Sequence, residues 1–211
     1  VKELYPDIPR QDKELPVLTK SREGFMTSSQ VQYVARIGNY KDDGFEYNGC
    51  LKILSVIMNY EYLWTNIRVK GGAYGCMSGF YRNGDSYFVS YRDPNLEKTN
   101  EVFEGIPEFV ENFTVDERDM DKYIIGTISD IDQPLTPKAK AGRALSAYMT
   151  GLTYEKMQKE REEILAASQE SIRALAPMLK AVIDDDIVCA VGNAEKIGES
   201  ELFEVKENLF E

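Results

Sequence analysis

The sequence predicts an α+β domain in which one mixed or antiparallel sheet carries helices packed on one face. Three observations lead there: a strand of period two near the start, an Asn-Gly hairpin in the middle, and a helix-rich second half that returns to a short apolar strand. With 211 residues, 43% of them hydrophobic, the chain can bury one sizeable core.

The elements follow in order. Residues 1–24 carry Pro6, Pro9 and Pro16 among many charges and are expected to form a linker or extended arm, leaving 25–211 as a single domain. In VQYVARIG, Val31, Tyr33, Ala35 and Ile37 alternate with Gln32, Val34 and Arg36, so the first set is expected to be the buried face of a strand. After the turn KDDG, the residues Leu51, Leu54, Val56, Ile57 and Met58 surround most of a helix, which should therefore be buried, with Asn48 as its N-cap. Two strand-like runs, GCMSGFYR and SYFVSYR, flank Asn83-Gly84-Asp85, a hairpin signal. Helices are then expected over 95–113, over 117–130 behind a capping box that opens at Thr114, from Thr136-Pro137 onward, over 153–166, and over 168–183 with a bend at Pro177. The apolar run from Ile187 to Val191, closed by Gly192, is the returning strand.

Composition removes several function classes. A formal charge of −11, from 36 acidic and 25 basic side chains, opposes binding to nucleic acid and to anionic membranes; it keeps the domain soluble or draws basic peptides. No apolar run approaches the roughly 20 residues of a membrane span, and no signal peptide is evident. Cys50, Cys76 and Cys189 are scattered in apolar settings, so they are expected as buried free thiols in a reducing, cytoplasmic compartment. The chain opens on Val1, as expected of a piece of a longer polypeptide.

The chain contains no histidine, which excludes histidine bases, histidine metal ligands and Ser-His-Asp triads. Neither a P-loop nor a GxGxxG turn is present. Asp184, Asp185 and Asp186 read as a solvated loop, and Glu160, Glu162 and Glu163 as a solvated helix face paired with nearby Lys and Arg. No metal is expected on this chain.

One segment stands out: TNIRVKGGAYGCMSGF, residues 65–80. Gly71 and Gly72 permit unusual backbone angles or close approach of a ligand chain; Arg68 precedes them and Tyr74 follows. A guanidinium fork and a phenol O–H together suit a peptide's carbonyls. The same residues also fit a glycine bulge at a strand start, with Arg68 salt-bridged and Tyr74 half-buried.

The run YLWTNIRVKGGAYG, followed by SYRDPN, resembles the C-terminal half of the insulinase/pitrilysin metallopeptidases, and is most similar to the presequence-protease branch over about residues 45–99. The resemblance implies a metallohydrolase-like α/β roll and an enzyme of two halves enclosing a chamber. The N-terminal half of such an enzyme holds zinc through His-x-x-Glu-His and a distal Glu, which this chain lacks. Arg68, Gly71, Gly72 and Tyr74 would then meet the substrate: Arg68 binding the peptide backbone, Tyr74 hydrogen-bonding the carbonyl oxygen as it becomes an oxyanion. The implied partners are the zinc-binding half and short unfolded oligopeptides, and the isolated chain should be inactive. A non-catalytic scaffold, or a peptide-binding subunit using a strand edge, is the alternative. A domain from such a chamber should expose an apolar patch, with Phe80, Tyr81, Tyr87 and Tyr91 as its expected sources.

Overall fold

A computed structural model describes residues 19–209, so the arm expected over 1–24 lies mostly outside the described residues. Within that arm, Arg22 already opens a strand, β1 (Arg22–Thr27), which the sequence pattern did not announce. It joins β2 (Gln32–Asn39), β3 (Gly75–Phe80), β4 (Asp85–Asp93), β5 (Ile187–Asn193) and β6 (Val205–Asn208) in one sheet of order β3-β4-β2-β5-β1-β6. The pairs β3/β4, β4/β2 and β2/β5 are antiparallel, whereas β5/β1 and β1/β6 are parallel, so the sheet is mixed. The β3–β4 turn is the expected hairpin, with Gly84 at φ 102° and the Tyr81 amide bonded to the Asp85 carbonyl at 2.8 Å.

The described helices are α1 (Cys50–Ile57), α2 (Glu97–Glu104), α3 (Ile106–Glu111), α4 (Glu117–Ile131), α5 (Pro137–Thr150), α6 (Tyr154–Leu165), α7 (Gln169–Arg173), α8 (Ala176–Asp184) and α9 (Ala194–Glu199), and α1, α2, α8 and α9 cover one face of the sheet. α1 packs on β3, α2 and α8 on β2, and α9 on β1, while α4 and α6 pack outside α1. The expected helix over 95–113 is two, because Gly105 ends α2 and caps α3, whose second residue is Pro107; a Cβ added at Gly105 would lie 2.6 Å from the Tyr62 hydroxyl. The expected helix over 168–183 likewise divides, and Pro177 begins α8 where the sequence suggested a bend. Capping follows the sequence at Thr136, and Thr153 caps α6, while α4 is capped by Asp116 and the N-cap of α1 is Gly49 rather than Asn48, whose side chain accepts from Cys50 N at 2.8 Å.

The largest departure is in β2. Its inward residues are Gln32, Val34, Arg36 and Gly38, and the apolar set expected inside faces out: Tyr33 is 48% and Ile37 42% exposed. Arg36 decides the matter. Its guanidinium, only 4% exposed, donates to Asn100 Oδ1 (2.8 Å), Glu104 Oε1 (3.1 Å), the Ile183 carbonyl (2.8 Å) and Asp186 Oδ1 (3.1 Å). Those acceptors lie on α2 and at the C-terminal end of α8, where a cation also meets the negative end of the helix dipole. Gly38 completes the inward set, since a Cβ there would sit 2.4 Å from the Val182 carbonyl oxygen. Because side chains alternate, placing Arg36 inward sends Tyr33, Ala35 and Ile37 to the open face.

Arg36→Ala should therefore cost about 2–4 kcal/mol in urea unfolding, since it strands the buried Asn100 and Ile183 acceptors. Arg36→Met should recover little of it. A loss below about 0.5 kcal/mol would show that the guanidinium does not set the face.

Candidate functional site

Beyond Ile57, α1 leaves α-helical geometry and runs on through two wide, π-helical stretches, Met58–Tyr62 and Trp64–Val69. Such widened turns are rare and often mark functional positions. At the helix end the Lys70 amide donates to the Thr65 carbonyl (3.0 Å), five residues back; the Gly72 amide then donates to the Arg68 carbonyl (3.0 Å) and the Ala73 amide reaches that of Ile67 (3.1 Å), closing the last turn. Both glycines are required by this ending. Gly72 has φ 81°, and a Cβ on Gly71 would lie 2.4 Å from the Ile67 carbonyl oxygen. The Gly71 carbonyl accepts from Asn95 Nδ2 at 2.6 Å, and Asp93 accepts from the Asn95 amide (2.9 Å) and the Thr99 hydroxyl (2.7 Å). The SYRDPN segment thus clamps the turn that joins Arg68 to Tyr74, and the glycines act through backbone shape.

Arg68, in the last turn of the widened helix, lays its guanidinium 3.9 Å from the centroid of the Trp64 ring. Among the described residues its side chain has no ion pair and no hydrogen bond, so the salt-bridged alternative does not hold. Tyr74 is 60% exposed, so it is not half-buried either. Its ring meets Tyr91 edge-on at 5.4 Å, the Arg92 guanidinium lies 5.7 Å from its centroid, and its amide donates to the Arg92 carbonyl at 3.3 Å. Arg92 holds φ 49°, an unusual angle for a side-chain-bearing residue, next to the β2–β4 register shift.

Cys76, two residues past Tyr74, has its thiol pushed up to about 11, chiefly by burial; the Arg68 charge opposes the rise and Asp93 adds to it. Arg68 therefore acts electrostatically on the start of β3. Burial also raises Cys50 and Cys189, and all three cysteines are free.

The acidic groups have structural tasks. Asp184 pairs with Lys180 and Asp186 with Arg22 and Arg36, both at the surface as expected, whereas Asp185 accepts from the Asn39 amide at 2.8 Å and is buried, with its side chain 7% exposed. Glu160 is buried against Arg82 and Lys52, and Glu163 accepts from the Gly49 amide at 2.7 Å, because α6 turns this face onto α1. Among the described residues, no three His, Cys, Asp or Glu side chains gather so as to hold a metal ion. No described helix is long and apolar enough to cross a membrane.

The open face of the sheet is apolar. Tyr33, Ala35, Met77, Val89, Tyr91 and Val191 line a shallow groove of about 430 Å³. Of the expected sources of a patch, Tyr87 and Tyr91 lie on this face, Tyr81 projects at the hairpin, and Phe80 turns toward the core against Phe88. Tyr91 belongs both to the groove and to the ring contact with Tyr74. Sequence reasoning missed Trp64, which closes the run read as a helix four residues before Arg68.

A family model described as the PreP C-terminal domain matches residues 22–193. The chain is 50% identical over 183 residues to the protein HypA of Clostridium perfringens, covering 87% of this chain and 19% of that protein. It is 36% identical over 204 residues to presequence protease 1, chloroplastic/mitochondrial, of Arabidopsis thaliana, covering 94% of this chain and 19% of that protein. The chain thus spans about a fifth of the length of these relatives. Among solved structures, pitrilysin superposes with a TM-score of 0.62 at 13% identity, over 91% of this chain and 22% of that one. The inactive domain of a Pseudomonas fluorescens M16 peptidase gives 0.58 at 17% identity, over 88% of this chain and 46% of that one. Those two likenesses show the fold.

The Arg68–Cys76 coupling can be measured on the chain itself. Arg68→Ala should raise the Cys76 thiol further and slow its alkylation at fixed pH by roughly twofold, since the thiolate is the reacting form. Peptide mapping after iodoacetamide reads this site by site. An unchanged rate at Cys76 would place the guanidinium elsewhere.

Proposed function

Since the chain belongs to the family of PreP C-terminal domains, we propose that it is the C-terminal part of a zinc-dependent endopeptidase that degrades short unfolded peptides, closing its chamber and supplying Arg68 and Tyr74 to the active site. The observation that carries this reading is that, among the described residues, both side chains offer uncommitted donors at the two ends of one clamped turn. In a chain of charge −11, carboxylate partners for an arginine are abundant, and Arg68 has none among the described residues.

The chemistry follows from the donors. The planar fork of Arg68 grips peptide carbonyls through paired N–H groups and fixes the backbone in register. The Tyr74 O–H points its single proton at the scissile carbonyl oxygen, where negative charge grows during attack; that bond strengthens as the oxyanion forms. The widened helix end and the Asp93–Asn95–Gly71 clamp hold the two groups in fixed relation without a moving loop. The apolar open sheet face forms the wall that the other half and the peptide would meet. Zinc does not fit this chain's own residues: no histidine is present, and among the described residues no three acids or thiols gather to hold a metal. The metal, which would polarise the carbonyl and activate water, belongs to the N-terminal half. A non-catalytic scaffold of the same fold would need neither donor free, so it takes second place.

In the full-length polypeptide, Tyr74→Phe should lower kcat by on the order of 10²- to 10³-fold with KM little changed, because its bond is made chiefly in the transition state. Arg68→Ala should raise KM and depress kcat together, and Arg68→Lys should rescue poorly, since an ammonium lacks the fork. Melting temperatures should stay near wild type. Normal kinetics with strongly lowered melting temperatures would make the pair structural and sink the proposal.

A further inference from the structure

We infer that Trp64 is a positioning residue for Arg68, holding its guanidinium plane while leaving every N–H of the fork free for a peptide. The inference rests on the reading of Arg68 as a substrate-binding group. It starts from a conflict in what Arg68 must do. An arginine that binds a backbone has to be ordered beforehand, because a free side chain of this length loses much rotamer freedom on binding. The usual anchor for an arginine is a carboxylate, but a carboxylate occupies the same N–H groups that the peptide needs. An aromatic face escapes the conflict, since it attracts the cation through its π cloud and leaves the in-plane donors untouched.

Trp64 meets this requirement. Its ring centroid lies 3.9 Å from the Arg68 guanidinium carbon, close enough for stacking. Both residues belong to the widened stretch Trp64–Val69, whose looser turn carries side chains four apart past one another on one flank. Trp64 is 40% exposed, so it is not there to fill the core. The acid that shares the surroundings of Cys76 with Arg68 is already engaged: Asp93 accepts from the Asn95 amide and the Thr99 hydroxyl. On the opposite flank, Lys70 turns back to Asn66 at 3.2 Å, and Asn66 donates to the Tyr62 carbonyl at 2.9 Å. What remains beside Arg68 is the one indole of the chain.

The test is a double-mutant cycle on peptide hydrolysis in the full-length polypeptide, with Trp64→Leu and Trp64→Phe each made alone and with Arg68→Ala. Leu keeps apolar bulk and removes the π face; Phe keeps a face. Trp64→Leu should raise KM about three- to tenfold, a range set by an exposed-to-partly-buried cation–π contact. Trp64→Phe should stay within about twofold of wild type, and Trp64→Leu should add nothing once Arg68 is Ala. Additive losses in the double variant, or an unchanged KM in Trp64→Leu, would overturn the positioning role while leaving Arg68 in the site. If Arg68→Ala alone changes nothing, the active-site reading falls, and this inference with it.

Discussion

The buried guanidinium of Arg36 is the constraint on which the rest of this domain depends. It is a charge inside the helix-covered side of the sheet, supported by four acceptors from α2, the end of α8 and the α8–β5 turn. A buried charge is tolerated only with such company, so the strand has one workable orientation. Since the strand's side chains alternate, its apolar residues go to the opposite face, where no described helix covers them. Arg36 thereby does two jobs. It ties β2 to α2 and α8, and it leaves an apolar wall open along β4, β2 and β5.

The candidate site sits at one end of that wall and has its own constraint, the widened end of the long helix. A regular α-helix over this stretch would place Arg68 and the paired glycines differently along the turn. The π-helical stretch delivers Arg68 beside Trp64, and Gly71 and Gly72 supply the backbone that closes it. Tyr91 then connects the two regions, touching the Tyr74 ring on one side and the groove on the other.

Much of this was legible in the residues. The α+β class, the Asn83-Gly84 hairpin, the buried first helix and the returning strand all rest on local periodicity and turn chemistry, and they stand in the structure. Arg68 and Tyr74 were singled out, and the structure leaves both side chains uncommitted among the described residues. Three things escaped for physical reasons. The faces of β2 were inverted because periodicity shows that two faces differ, not which of them a buried arginine claims. β1 was hidden because a strand paired on both edges in parallel fashion carries no clear alternation: its residues REGFMT include Gly24, pressed against Ile197 and Phe203. The glycine pair was read as permitting unusual backbone angles or close approach of a ligand chain; Gly72, at φ 81°, takes the unusual angle, and the close contact of Gly71 with the Ile67 carbonyl, which no sequence pattern displays, makes the pair the terminator of a π-helix.

Labelling rates at two adjacent positions of β2 test the central claim most directly. Tyr33→Cys and Val34→Cys, each placed in a chain without its native cysteines, are exposed to a thiol reagent under native conditions. With Arg36 turned inward, position 33 should react at close to the rate of an unfolded chain, and position 34 should be protected by on the order of 10²-fold or more. Protection at 33 with free reaction at 34 would mean that Tyr33, Ala35 and Ile37 face the core after all, and the open apolar wall beside Arg68 and Tyr74 would not exist.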